Sequence, residues 1–411
     1  MRRAFWQSLG PGLLFSGVAI GVSHLVQSTR AGAMFGLALA GVIIAINILK
    51  YPTFRFGVDY GHVKRQSLLV GYRELGRWAP LLFCCVIIPF LPVVQGAGSA
   101  TMAGLLGALT GIDLPMPLLL PLVLVPAGLI LLFGGYTWLD RVNRVMLAFL
   151  ILATLATTML ALPRVDWTTV ADTSWVADPA AILFLIALAG FMPNPLDISV
   201  PQSLWTIEGE ERMPQEQRPN LSQTRFAFAC GYVLTAVLAV CFCIMGAGVM
   251  HSQGIAPADT AAGFATQIIG LYSATLGEVP AMLAAVSAFT VMGSTVLVGY
   301  DAYSRTLTSA YGVVTERSDP SHLARVRPFV VIALLLSAYC AVTLLLDDFG
   351  AFVDLATSLA FVAGPVVAVL NHLVVTRCDL PVAARPSGLM RILSIMAIVV
   401  MSMLAASYFL L

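Results

Sequence analysis

The chain has 411 residues, of which 59% are hydrophobic and 10% charged, with a formal net charge of +1. A soluble domain carries about 25% charged residues, so an aqueous globular protein is excluded. The near-neutral balance, with no compact basic patch, excludes a nucleic-acid partner. A bilayer is the partner that this composition implies; no protein partner is indicated.

The hydrocarbon core calls for apolar runs of about 20 residues. A hydropathy pass finds eleven, at about 11–34, 35–54, 80–108, 114–134, 143–162, 179–205, 224–249, 279–307, 328–346, 350–375 and 389–411. Met1-Arg2-Arg3 opens what reads as the first span rather than a cleaved leader. The loops on one side hold Arg55, Lys64, Arg65, Arg73, Arg77, Arg212, Arg218, Arg317, Arg325 and Arg327. Lys50, Arg225, Arg305 and Arg391 sit at inner helix ends on this reading. The opposite loops hold Arg164 against several aspartates, an asymmetry that predicts a cytoplasmic N-terminus in the cell (inner) membrane. The segment 254–276 reads as a short surface helix on the outer face. The seven cysteines lie mostly in apolar runs without metal-ligand spacing and read as small hydrophobes.

Two stretches break the apolar pattern. The first span carries Gly21, Val22, Ser23 and His24, then Gln27, Ser28, Thr29 and Arg30, at membrane depth. Polar groups there are expensive and by default mark a functional path. The second is Ala189-Gly190-Phe191-Met192-Pro193-Asn194-Pro195-Leu196-Asp197. Its two prolines remove backbone donors and restrict their neighbours, so the sixth span should split into halves of about 179–192 and 196–205. The two disrupted spans are five apart, and an odd offset inverts topology. That is the signature of LeuT-like transporters, whose substrate lies between interrupted helices. The chain therefore reads as one all-α membrane domain with a LeuT-like 5+5 inverted repeat. Residues 1–163 form the first repeat, 179–376 the second, and 389–411 an extra C-terminal helix.

At these segments the chain resembles the Nramp (natural resistance-associated macrophage protein) family of metal transporters. With Gly10-Pro11-Gly12 on the family's Gly-Pro-Gly, its Asp-Pro-Gly-Asn motif falls on Gly21-Val22-Ser23-His24. Its Ala-x-x-Met-Pro-His-Asn falls on the run from Ala189 to Pro195. The resemblance implies the fold and transport by alternating access. It also implies a metal held by the Asp and Asn of the first helix and by the Ala carbonyl and Met sulfur of the sixth. Here Ala189 and Met192 remain, but the Asp has become Gly21 and the Asn His24. The family's acidic pair of the third helix falls near Pro92 and Gln95, and its two sixth-helix histidines on Asn194 and Ser199.

A dehydrated divalent ion needs carboxylate compensation, so no metal site is expected. Helix N-termini, Ser23, Asn194 and His24 present donors instead, and the reading favours a small anion, bicarbonate leading. The alternative is a divalent metal (Mn2+, Fe2+ or Mg2+ type) held by His24, Met192 and Asp197. Among these polar residues, His24 reads first as a substrate-binding residue, with a bundle histidine the lesser alternative, and Arg30 as a pathway residue or a snorkelling one. Asp197 reads as a cap or a partner of Arg30. Ser294 and Thr295 are candidates for sodium, Asp301 for pairing with Arg305, and Asp354, Asn371 and His372 for an ion path. No cofactor is expected, and a coupling ion would be Na+ or H+. Catalytic motifs such as HExxH or Gly-x-Ser-x-Gly are absent, so the chain does not read as an enzyme.

Overall fold

A computed structural model describes residues 19–134, 137–317 and 319–411. The predicted start of the first span at residue 11, Met1-Arg2-Arg3 and Gly10-Pro11-Gly12 lie outside the described residues. Helix α1 opens as a π-helical segment, Val22–Ser28, and continues as Thr29–Phe35. Then come α2 (Ala40–Lys64), α3 (Leu68–Leu75), α4 (Trp78–Ile87), α5 (Leu91–Thr110), α6 (Met116–Phe133) and α7 (Thr137–Ala161). The second half holds α8 (Pro179–Phe191), α9 (Ser199–Glu211), α10 (Leu221–Met245), α11 (Ala261–Leu276) and α12 (Glu278–Thr315). It ends with α13 (Pro320–Leu345), α14 (Phe349–Arg377) and α15 (Gly388–Ser407).

Nine helical stretches among the described residues are long and apolar enough to cross a membrane. The other two predicted spans are α1, described only from Ala19, and α2, whose charged residues lower its hydropathy. The predicted span 80–108 is not one helix. Pro89 lies in a turn over residues 88–90 and Pro92 in the first turn of α5, and the chain divides into α4 and α5 because neither proline donates a backbone hydrogen bond to continue the helix. The expected surface helix is α11, and it is half-buried through Phe264, Ile268, Leu271 and Tyr272.

The placement of Lys50 at a helix end is corrected. Helix α2 runs on to Lys64 with Pro52 inside it, and Lys50 is 2% exposed near its middle. The charges that suggested a loop are instead paired: Asp59 takes two bonds from Arg225 at 2.7 and 2.9 Å and lies 3.5 Å from Arg55.

Lipid tails provide no hydrophobic drive between helices, so close backbone approach supplies the attraction. Helix α8 packs most extensively on α14, where a Cβ on Gly190 would lie 1.8 Å from the Thr357 carbonyl oxygen. Helix α9 crosses α2 in the same manner, Gly57 against the Ser199 carbonyl. These contacts set both halves of the interrupted helix, α8 and α9, against their neighbours.

Candidate functional site: the two helix breaks

Helix α1 begins at Gly21, which has φ −140° and ψ −130° and leaves no space for a side chain: a Cβ would lie 2.8 Å from Thr295 Cγ2. The wide π-helical turn then leaves the Ser23 carbonyl to the Ser28 hydroxyl, at 3.0 Å. The Ser23 hydroxyl reaches the carbonyls of Ala19 at 2.7 Å and of Pro193 at 3.2 Å, the second joining the two breaks. Thr295 Oγ1 lies 3.4 Å from the Ile20 carbonyl and 3.1 Å from that of Val291. Ser294 is half-buried beside it. Val22 is buried.

Helix α8 ends at Phe191, and the chain passes extended through Met192, a cis Met192–Pro193 bond and Pro195 before a 3-10 turn, Leu196–Ile198, leads into α9. The last carbonyls of a helix lack intrahelical partners. Here they have a cation. Lys50 Nζ donates to the carbonyls of Ala189 at 2.6 Å, Gly190 at 2.9 Å and Asn194 at 3.2 Å. The Asp197 carboxylate is buried near Tyr303 and Lys50. The Asn194 side-chain nitrogen is buried and has no partner among the described residues. Met192 is fully buried.

His24 is fully buried, with protein atoms beside both ring nitrogens. Nε2 faces the Thr235 carbonyl at 2.8 Å, so it carries the proton, and Nδ1 lies 2.7 Å from the Ser23 hydroxyl. The Thr235 bond ties α1 to α10.

Arg30 does not snorkel, and its partner is not Asp197. It forms a two-point ion pair with Asp354 of α14, at 2.6 and 2.9 Å, and lies 5.2 Å from the centre of the Phe184 ring. Gln27 completes this clamp, accepting from Arg30 at 2.8 Å and donating to Asp354 at 2.9 Å and to Thr357 at 3.0 Å. A second set of ion pairs holds α9 at the arginine-rich end. Glu210, fully buried, meets His62 at 2.6 Å and the Thr224 hydroxyl at 3.0 Å; Arg65 is an ion pair at 2.8 Å without hydrogen-bond geometry. Glu208 pairs with Arg305, which also meets Asp301 at 2.8 Å, as expected four residues apart, and Arg327 joins Asp301.

The structure thus brings together Ser23, Ala189, Asn194 and Asp197, adds Lys50, and sets Gln27 and Arg30 apart as a clamp. Gln95 is buried on α5, its amide oxygen 3.3 Å from where a Cβ on Gly299 would lie and its nitrogen without a partner among the described residues. Asn371 donates to the Thr53 carbonyl and the Ser199 hydroxyl and accepts from Tyr72, and His372 contacts Ser394 of α15. Both are occupied in packing. Sequence reasoning missed Lys50, and also Gln202, whose amide is buried with neither end paired among the described residues. The signal for Lys50 was the charge series Arg55, Asp59, His62 and Lys64, which extends α2 well past it.

Comparison with known proteins fits this geometry. A curated relative, an uncharacterised protein of Pasteurella multocida, is 32% identical over 382 residues, covering 90% of this chain and 86% of that one. A mutant of the Eremococcus coleocola manganese transporter superposes with a TM-score of 0.71 at 15% identity, covering 98% of this chain and 85% of that one. MhsT in complex with L-phenylalanine superposes at 0.64 with 13% identity and 98% coverage of both chains. These structures show a shared all-helical transporter fold of the LeuT type. The family model described as natural resistance-associated macrophage protein-like matches residues 12–411, and the chain belongs to the Nramp family.

Proposed function

We propose that this Nramp-family membrane protein moves a small anion, with bicarbonate the leading candidate, by alternating access across the cell (inner) membrane. The observation that carries the reading is the Lys50 ammonium seated on the carbonyls of the α8 break. A metal ion drawing on the Ala189 carbonyl would have to displace that ammonium. Stripping a buried charge of its partners costs about 3–5 kcal/mol, or about 10²–10⁴ in affinity. Asp197 is buried, and the Lys50 ammonium on the same break adds a positive charge that disfavours a divalent ion there. The unpaired Asn194 amide supplies a neutral donor at the same place. The free donor at the break is this amide, while the Lys50 charge disfavours a cation, and on that ground the reading favours a compact anion.

The metal reading rests on His24, Met192 and Asp197. Nε2 of His24 is already committed to the Thr235 carbonyl, and no observation favours the trio. Movement of solute requires the Arg30–Asp354 clamp on α1 and the Glu208 and Glu210 pairs on α9 to part in turn, which gives alternating access its two barriers. Coupling to Na+ at Ser294 and Thr295, or to H+, belongs to the same proposal.

The test is uptake by proteoliposomes of labelled bicarbonate beside labelled Mn2+. We expect saturable bicarbonate uptake that falls at least tenfold in Asn194→Ala. Saturable Mn2+ uptake lost in Met192→Ala, without bicarbonate uptake, would overturn the reading.

A further inference from the structure

Lys50 is a fully enclosed cation whose three nearest acceptors are all backbone carbonyls. They come from both sides of the α8–α9 break: Ala189 and Gly190 at the end of α8, and Asn194 beyond the cis peptide bond. Three acceptors match the three N–H groups of an ammonium, whereas a neutral amine has two. Convergent carbonyls in a low-dielectric interior are also how proteins coordinate bare monovalent cations. Their convergence is not an accident of one side chain's reach. Ala189 and Gly190 are consecutive orphan carbonyls at a helix C-terminus, the negative end of its dipole. The bend over residues 192–194 brings the Asn194 carbonyl to the same ammonium.

We propose that these three carbonyls form a monovalent-cation site whose permanent occupant is the Lys50 ammonium. The protein thus carries its own cation at the helix break and takes none from solution there. Lys50 in this role positions the break, tying it to α2, with Asp197 as the nearby counter-charge. The inference holds whichever solute is carried, so its failure and that of anion transport are separable.

Truncating Lys50 to alanine removes three methylenes and the ammonium, which is n-propylammonium in outline. The experiment follows the unfolding midpoint of the purified full chain in detergent, at equal ionic strength, in N-methylglucamine, potassium, ammonium, n-propylammonium and n-propyltrimethylammonium chlorides. We expect one midpoint for the native chain across the series. Lys50→Ala should start several degrees lower and recover saturably with n-propylammonium, to a lesser extent with ammonium or potassium, and not with the quaternary ion, which has no N–H. A monodisperse Lys50→Ala protein with the same midpoint in every salt would overturn the proposal, as would a potassium-specific rise in the native chain. Should Lys50→Ala not fold, Lys50→Met gives the decision. This neutral chain of similar length leaves the carbonyls without a cation, and its midpoint should fall by several degrees with no added ion restoring it. A Lys50→Met midpoint equal to that of the native chain would show that the carbonyls need no cation, and would overturn the proposal.

Discussion

Replacing Asp354 by alanine removes the carboxylate that holds α1 to α14. Arg30 loses its contacts at 2.6 and 2.9 Å, and Gln27 loses the one at 2.9 Å. What stays is the Gln27 oxygen at 2.8 Å, the Gly350 carbonyl at 3.4 Å and the face of Phe184 at 5.2 Å. Removing one partner of a buried pair costs about 3–5 kcal/mol. The Asp354 side chain is 30% exposed and that of Arg30 only 8%, so the lower end, about 3 kcal/mol, applies. At about 2.1 cal/mol/K per residue over 411 residues, the unfolding entropy is about 0.9 kcal/mol/K, and the midpoint should fall by about 3–4 °C. The informative assay is a thermal double-mutant cycle with Arg30→Met, because each single variant strands the other charge. The double variant should lie at least about 2 kcal/mol closer to the native chain than the two single effects summed. Effects that add to within about 0.5 kcal/mol would show that Arg30 and Asp354 are not coupled, and the clamp would be refuted.

Asn371→Ala strands the Ser199 and Tyr72 hydroxyls inside the bundle and removes a second bond from the Thr53 carbonyl. At about 1–3 kcal/mol for each unsatisfied buried group, a loss of about 2 kcal/mol or more is expected in thermal unfolding; a loss below about 1 kcal/mol would remove Asn371 as the staple of α2, α3, α9 and α14. At the arginine-rich end, hydrogen bonds from Arg77 and Arg73 hold the Glu316 carboxyl below its ordinary range. Folding lowers this pKa, so the contact stabilises above the ordinary carboxylate range and is lost as pH falls through the folded value. Hydrogen exchange in α3 and the start of α4, corrected for intrinsic rates, should quicken on going from about pH 7 to below about pH 4, and Glu316→Gln should abolish that difference.

The helices and their interruptions were legible in the chain because a bilayer imposes a severe rule: backbone groups bond internally, and apolar runs must reach across. The break at Gly21 and the division of the sixth span at Met192 through Pro195 follow from glycine, proline and polar residues placed where lipid tolerates few of them. The ends of α2 and α12 were less legible. Arg55 reads as a loop charge until its partner Asp59, itself held by Arg225, is seen beside it. His24 shows the same limit in reverse. Its residue type and depth suggested a ligand, and only the Thr235 carbonyl, on a helix some two hundred residues later, shows its Nε2 taken up between helices.

By itself the amino-acid order determined a multi-helix membrane protein, the family likeness and the location of both helix breaks, since hydropathy and backbone chemistry are local properties. Only the tertiary structure decided what fills those breaks. Charge at membrane depth takes its meaning from partners brought within hydrogen-bond distance, and those partners are remote in the chain. Hence Lys50 reaches the carbonyls of Ala189, Gly190 and Asn194, and Arg30 reaches Asp354.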